Sequence, residues 1–227
     1  VIHFAAYKSV PESVEQPLMY FRNNLNSLIN ILQCAEDFDV DNFVFSSSCS
    51  VYGNTTELPV SEEAPLQEPE SPYGRTKQMG ETICRDFTNL HKDFNTILLR
   101  YFNPVGAHPS AHIGEMQEIV ENVVPVITQT AIGRRKEMTV FGTDYPTRDG
   151  SCVRDYIHVS DIAHAHTLAL QYIIDDRNKS NCEIFNLGTG NGVTVLELIR
   201  AFEKVSGQKL NYKTGPRRAG DVVEVYA

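Results

Sequence analysis

The sequence has 227 residues, 41% of them hydrophobic and 22% charged, with no low-complexity tract. A chain of this kind buries an ordinary core as one large or two small domains, and intrinsic disorder is excluded. Acidic residues outnumber Lys and Arg by 29 to 20, for a formal charge of −9, which excludes a coat on nucleic acid or on an anionic membrane, because either partner needs a basic face. No apolar stretch approaches the ~20 residues of a membrane helix. Cys34, Cys49, Cys84, Cys152 and Cys182 are odd in number and lack CxxC spacing; they read as reduced thiols of an intracellular, cytoplasmic protein. No metal site is expected. His3, His91, His108, His112, His158, His164 and His166 have no cysteine or carboxylate company at ligand spacing.

Val1–Ala6 reads as a buried strand that starts without a capping segment, and Asp221 to Ala227 ends without punctuation, so a piece of a longer chain is expected. A helix follows over Pro17–Asp37, with Leu25, Leu28, Ile29 and Leu32 at helical spacing. Phe43-Val44-Phe45 is a strand that runs into Ser46-Ser47-Ser48, and residues 54–72 form a loop rich in Pro, Glu and Ser. A helix over Tyr73–His91 precedes a strand over Thr96–Phe102. Apolar strands alternating with helices predict βαβ units and a doubly wound, Rossmann-like parallel sheet. Ligands of such sheets sit at the carboxyl ends of the strands, which places Ala5–Lys8, Ser46–Ser48 and Phe102–Gly106 on one rim.

Beyond residue 106 the pattern loosens. A helix is expected near Val120–Ile132, a strand at Met138–Phe141, a long loop to Arg154 and a strand at Asp155–Val159. Ser160 is the expected cap of a helix carrying Ile162, Ala165, Ala169, Tyr172 and Ile173, followed by a strand at Glu183–Leu187. Thr194 and Glu197 form a capping box for a last helix, with Val195, Leu198, Ile199, Phe202 and Val205 inward and Gly207 at its end. The division expected is 1–104 for a dinucleotide-binding domain and 105–227 for a smaller mixed α/β substrate domain, with elements near 155–190 returning to the first sheet.

Tyr73 and Lys77 form YxxxK, a spacing that puts both side chains on one helix face. The helix's apolar stripe, Met79, Ile83, Phe87 and Leu90, is centred roughly 100° away, so the pair is free to face the strand rim. An ammonium beside a phenol favours the phenolate and makes the tyrosine a usable acid/base. Alone, YxxxK is far more often a chance pair on a solvated face, and a serine run more often a polar turn. Ser48 at the end of the preceding strand changes that balance, because its hydroxyl can share a substrate oxygen with Tyr73. Serine followed by tyrosine and lysine on the next helix is the arrangement that short-chain dehydrogenases/reductases use with nicotinamide cofactors.

The segments VIHFAAYKSVPESVEQPLMYFRNN, FVFSSSCSVYG, SPYGRTK, LLRYFNPVGAHPS, FGTDYPTRDGSCVRDYIHV, FNLGTG and GPRRAGD run in order through nearly the whole chain. By these the sequence resembles the UDP-glucose 4-epimerase family of extended short-chain dehydrogenases/reductases. The resemblance implies NAD as cofactor, a UDP-hexose as substrate and a homodimer paired through helices of the first domain. It implies Tyr73 as catalytic base, Lys77 as its tuner and holder of the nicotinamide ribose, and Ser48 as the hydroxyl partner. Phe4, Ala5, Ala6, Lys8, Asn23, Tyr101 and Phe102, with Ser48, Tyr73 and Lys77, match cofactor-binding positions. Asn103, Asn122, Val123, Phe141, Arg154, Tyr156, Arg218, Asp221 and Val225, with Ser48 and Tyr73, match the UDP-sugar site. The implied reaction is transient oxidation at C4: Tyr73 takes the 4-hydroxyl proton, hydride moves to NAD, and the 4-keto sugar turns over before hydride returns to its other face.

Four departures and absences bear on this. Ala6 stands where the family has Gly. Val225 stands where the family carries a bulky Tyr or a small residue, and its intermediate size implies at least partial use of N-acetylated UDP-sugars. The family's Gly-rich dinucleotide loop is not in this sequence, so the chain alone is expected to hold NAD poorly. Gly188-Thr189-Gly190-Asn191-Gly192 fails the GxGxxG pattern and reads as a strand-to-helix turn. Arg154 and Arg218 are expected to reverse the local charge for a pyrophosphate, whereas Arg134-Arg135 reads as surface charge. Two alternatives stay open. Nucleotide-sugar dehydratases and decarboxylases tend to place an acid just after the catalytic Ser or Thr, where this chain has Cys49; a silent nucleotide-binding module would share the fold.

Overall fold

The computed structural model describes residues 1–115 and 120–227. In chain order the elements are β1 (Ile2–His3), α1 (Val10–Glu15), α2 (Pro17–Asp37), β2 (Asn42–Ser48), a 3-10 turn (Cys49–Tyr52), α3 (Pro72–Leu90), β3 (Asn95–Tyr101) and β4 (Asn103–Val105). There follow α4 (Val123–Ala131), β5 (Met138–Phe141), β6 (Val153–His158), α5 (Val159–Ile174), β7 (Cys182–Leu187), β8 (Gly192–Thr194), α6 (Val195–Ser206), β9 (Tyr212–Gly215) and β10 (Glu224–Val225).

β1, β2, β3 and β7 form an all-parallel sheet in that order. Alternation along β2 divides the core between its faces. Phe43 and Phe45 point to α2 and α3, where they meet Leu28, Leu32, Ala35 and Cys84. Val44 points to α5, with Ile97, Leu99, Ala169 and Ile173. Burying each of these large apolar side chains contributes roughly 1.5–3 kcal/mol. Helices on both faces make this the Rossmann-like α/β sheet expected, and β7 joins it beside β3 after a long excursion. The excursion builds a second lobe. There β6 pairs with β4 and β10 in parallel and with β8 antiparallel, while β5 and β9 make a separate ribbon packed on α4 and α6.

The boundaries of α2 and β5 fall where the pattern places them, and the Thr194–Glu197 capping box and left-handed Gly207 close α6 as expected. Other details differ. β1 is two residues long, not six. α1 is new; Ser9 caps it with Pro11 in its first turn, which is a local signal the hydrophobic period does not register. His158, not Ser160, caps α5 by accepting from the Ser160 amide. The Gly188–Gly192 stretch connects two strands rather than a strand and a helix. Ile29 is exposed, and so is Val205, at 89%.

The largest revision concerns α3. Met79 and Leu90 of the expected stripe are 40% and 75% exposed, and the buried face instead carries Thr76, Lys77, Gly80, Glu81, Cys84 and Thr88. Polar groups go inward here because each finds a partner. Glu81 accepts two bonds from the guanidinium of Arg100 on β3 (2.8 and 2.7 Å) and one from Ser47 (2.6 Å). Arg100 also donates to the Tyr52 hydroxyl, which bonds Asn186 on β7. One buried network thus joins α3 to three successive strand ends.

Candidate active site

Two glycines bring α3 close enough to place its first turns on the sheet rim. A Cβ on Gly80 would lie 2.6 Å from the Phe45 ring, and one on Gly74 would lie 3.0 Å from Pro69 and 3.1 Å from the Ser50 carbonyl. Ser71 caps the helix by accepting from the Gly74 amide, and Pro72 preorganises the first turn. Tyr73 therefore emerges beside Ser48, the last residue of β2. Ser48 in turn accepts from the Ser50 amide and hydroxyl, which fixes the 3-10 turn behind it.

Lys77 lies one turn further, buried. Its ammonium donates to the Ser46 carbonyl (2.6 Å) and sits 5.1 Å from the Phe45 ring centre and 5.8 Å from that of Tyr73. It has no carboxylate partner within ion-pair distance among the described residues. Burial lowers its pKa to about 8. Burial likewise pushes the Tyr73 phenol up to about 12, with Ser48 pulling it back. The expected lowering by Lys77 is therefore not present: the ammonium turns one donor to a carbonyl, and desolvation dominates the phenol.

Tyr73 and Ser48 open onto a cleft of about 380 Å³ that continues into a second cavity of about 360 Å³, with Asn103, Asn122, Arg154, Arg218 and Asp221 shared by both. Ala6, Lys8, Phe102 and Val225 line the first part. Val123, Phe141 and Tyr156 line the second. Arg218 holds Asp221 through two bonds (3.0 and 2.9 Å), and Arg154 approaches the same carboxylate at 3.9 Å. Inside the cleft, the Asn103 side-chain oxygen and the Tyr156 hydroxyl are buried without a partner; burial pushes the latter's pKa up to about 12. Unpaired buried polar atoms are costly, and both belong to residues that line the cavities.

Phe4, Ala5, Asn23 and Tyr101 do not line the cleft. Asn23 bonds only its neighbour Asn24 (3.0 Å), and it is Asn24 that ties Tyr7, after β1, to Thr76 on α3. The charge expectation also needs revision. In the first cavity, three cations (Lys8, Arg154, Arg218) face four carboxylates (Glu12, Glu70, Glu121, Asp221), so its sign is not reversed. In the second, three guanidiniums face two carboxylates, and the third guanidinium is Arg135. Arg135 is half-buried, reaches the Val120 carbonyl at 3.4 Å, and leaves its Nε without a bond. Arg-Arg pairs are so often surface charge that nothing in the sequence distinguished it from Arg134. The Thr189 and Gly190 amides, with the Thr189 hydroxyl and the Ala227 amide, are all spent on buried Asp155.

Among the described residues no three metal-ligating side chains cluster, and no helix is long and apolar enough to cross a membrane. The chain is similar to UDP-glucose 4-epimerase 2 of Arabidopsis thaliana, at 51% identity over 228 residues, covering 100% of this chain and 64% of that protein. It is thus shorter than the curated relatives it matches, spanning under two thirds of their length. Among solved structures it resembles UDP-glucose 4-epimerase from Bifidobacterium longum in complex with NAD+ and UDP (TM-score 0.94, 44% identity, 100% of this chain and 67% of that one). The enzyme of Stenotrophomonas maltophila, with bound NAD and formylated UDP-arabinopyranose, is equally near (TM-score 0.94, 48% identity, the same coverage). The model of the NAD dependent epimerase/dehydratase family matches residues 1–188. The chain belongs to that family.

Proposed function

We propose that the protein interconverts UDP-hexoses at C4, such as UDP-glucose and UDP-galactose, by NAD-dependent transient oxidation. The observation that carries this is the meeting of Ser48 and Tyr73 on a cleft that also presents Arg154 and Arg218 and continues to Arg135, with buried, carboxylate-free Lys77 one turn behind Tyr73. The absence of an acid at Cys49, where burial pushes the thiol up to about 12, favours epimerisation over dehydration or decarboxylation.

The residues present fit the nicotinamide end of the cofactor. Lys77 uses one donor on Ser46 and keeps others free, which suits a ribose diol. NAD, when bound, supplies the hydride chemistry. In this reading Tyr73 accepts the proton of the sugar hydroxyl, and Ser48 bonds the same oxygen and orients it. Lys77 would hold the ribose of the bound cofactor beside Tyr73. Arg154, Arg218 and Arg135 hold the diphosphate, with Asn103, Asn122 and Tyr156 supplying polar contacts and Phe141 and Val123 an apolar wall. Phe4, Ala5, Ala6, Lys8, Asn23, Tyr101 and Phe102 are assigned to the cofactor side. Residues 1–104, with α5 and β7, then form the cofactor half, and the remainder forms the substrate half. The exposed outer faces of α2 and α3, with Leu18, Ile29, Met79 and Leu90, are assigned to a homodimer.

Val225 is buried beside Val51, Tyr52 and Phe102 at the cleft wall. Its modest volume leaves space near the sugar, which supports acceptance of N-acetylated substrates. The test is an assay of the encoded protein with UDP-galactose and UDP-GalNAc. Tyr73→Phe is expected to reduce kcat by at least about 10²-fold with nucleotide affinity retained; near-normal turnover would end this assignment. Turnover of UDP-galactose with none of UDP-GalNAc would remove the claim for Val225.

A further inference from the structure

His166 lies on the buried side of α5, 4% exposed, on the opposite face of the sheet from Tyr73 and Lys77. Its ring sits between Phe4, just beyond β1 (centroids 4.8 Å), and Tyr101, the last residue of β3 (5.6 Å). Nδ1 is 2.7 Å from the Ile162 carbonyl. A carbonyl only accepts, so Nδ1 carries a proton, and Nε2 of the neutral ring is left as an acceptor. The Tyr101 hydroxyl lies 2.6 Å from Nε2 and 2.8 Å from the Ser46 hydroxyl, so it bridges the two. Ser46 is the residue whose carbonyl seats Lys77. Across the sheet Tyr101 pairs in register with Ser48.

One imidazole thus touches three neighbouring strand ends: Phe4 by a tilted ring contact, Tyr101 by a direct bond, and β2 through the Ser46 hydroxyl. We propose that His166 is a positioning residue of the active-site rim, acting through Tyr101 and Ser46 on Lys77 and Ser48. The inference rests on the function proposed above. Neither His166 nor Tyr101 lines the cleft, so His166 acts through the strand ends it holds, including Tyr101 on the side assigned to the cofactor. Histidine suits the task because it presents two opposed nitrogens at fixed spacing, one satisfying the helix turn beneath it and the other facing the strand.

That geometry separates a positioning role from a packing role. In the encoded protein, His166→Asn preserves the group facing Ile162 and removes the one facing Tyr101. His166→Gln places an amide oxygen where Nε2 stood. Tyr101→Phe deletes the bridging hydroxyl. His166→Asn and Tyr101→Phe are each expected to lower kcat about tenfold, one hydrogen bond's worth of transition-state alignment. KM for UDP-galactose should stay within about twofold. The double variant should be no worse than either single variant, because both break one chain, and His166→Gln should recover most of the rate. Retention of NAD through desalting, read by absorbance, should follow the same order and needs no turnover.

Equal losses in His166→Asn and His166→Gln, or losses that add in the double variant, would overturn the proposal and leave His166 a packing residue of α5. Should His166→Asn fail to fold, Tyr101→Phe, a single-atom deletion, carries the test: wild-type kcat and NAD retention in that variant would also overturn it. If the unaltered protein turns over no UDP-hexose, it is the proposed function that fails, and the NAD-retention series still decides the role of His166.

Discussion

The two halves of the molecule are held together in different ways. The first sheet is built from β2 and β3, seven residues each, and its polar interior is a closed network of Glu81, Arg100, Ser47, Tyr52 and Asn186. The second lobe has strands of two or three residues around β6, and carboxylates take over what strand pairing cannot do. Asp155 gathers the turn after β7, and Asp149 collects the Ser151 amide and the hydroxyls of Ser151 and Thr194. The groups assigned to chemistry stand on the half with continuous register, and those assigned to ligand binding stand on the half tied by side chains. Placement to a fraction of an ångström needs rigid elements, whereas a site for a mobile sugar nucleotide tolerates loops.

The sharpest way to break this contrast is to open the buried pair. Glu81→Gln leaves the Arg100 guanidinium buried without a carboxylate and is expected to cost about 3–5 kcal/mol of stability by urea unfolding; Arg100→Met is expected to cost less, because Arg85 still pairs with Glu81 at 3.2 Å. The double replacement should cost less than the two losses together. A loss under about 1 kcal/mol in either single variant would mean that the network does not hold the first half. In the second lobe the expected effect is smaller and falls on affinity. Arg135→Ala should raise KM for the UDP-sugar about tenfold, equivalent to ~1.4 kcal/mol, with the thermal midpoint unchanged. An unchanged KM would return Arg135 to the role of surface charge.

The smallest effect concerns protons. Lys77 titrates near 8 when buried, below the 10.5 of an exposed lysine. At Lys77 the folded state then holds fewer protons than the unfolded one between those values, so its contribution to stability should rise with pH from 8, opposed above about 9 by Cys49, Cys84 and Cys182 and above about 10 by Tyr73, whose pKa values burial raises. In cofactor-stripped protein, the side-chain ¹³C resonances of Lys77 should show a midpoint near 8, and Lys77→Met should abolish the pH-dependent gain. A midpoint above 10 would contradict the buried seat on Ser46.

Much of the first half was legible because its signals are local and long. α2 runs for 21 residues with Leu28 and Leu32 at helical spacing, and β2 and β3 are apolar runs between turn residues. Ser48, Tyr73 and Lys77 stood out by residue type and spacing, and the cleft does bring Ser48 and Tyr73 together. The face of α3 was misread because hydrophobic periodicity cannot anticipate an inward Glu81 whose partner, Arg100, lies 19 residues away on another strand. β4, β8 and β10 are too short to carry any period. Arg135 was passed over for the same reason as Glu81, since its surroundings are made by residues distant in sequence.

Gly80 has a consequence that reaches beyond its own contact. It bears no side chain, yet it acts as the gauge block between α3 and the sheet, for the helix rests there on the Phe45 ring. Tyr73 and Lys77 ride the same rigid cylinder, about two turns and one turn earlier. A methyl at residue 80 would lever that cylinder outward and carry the phenol away from Ser48 while leaving every residue of the cleft chemically intact. The tolerance of the site is set by an atom that is not there.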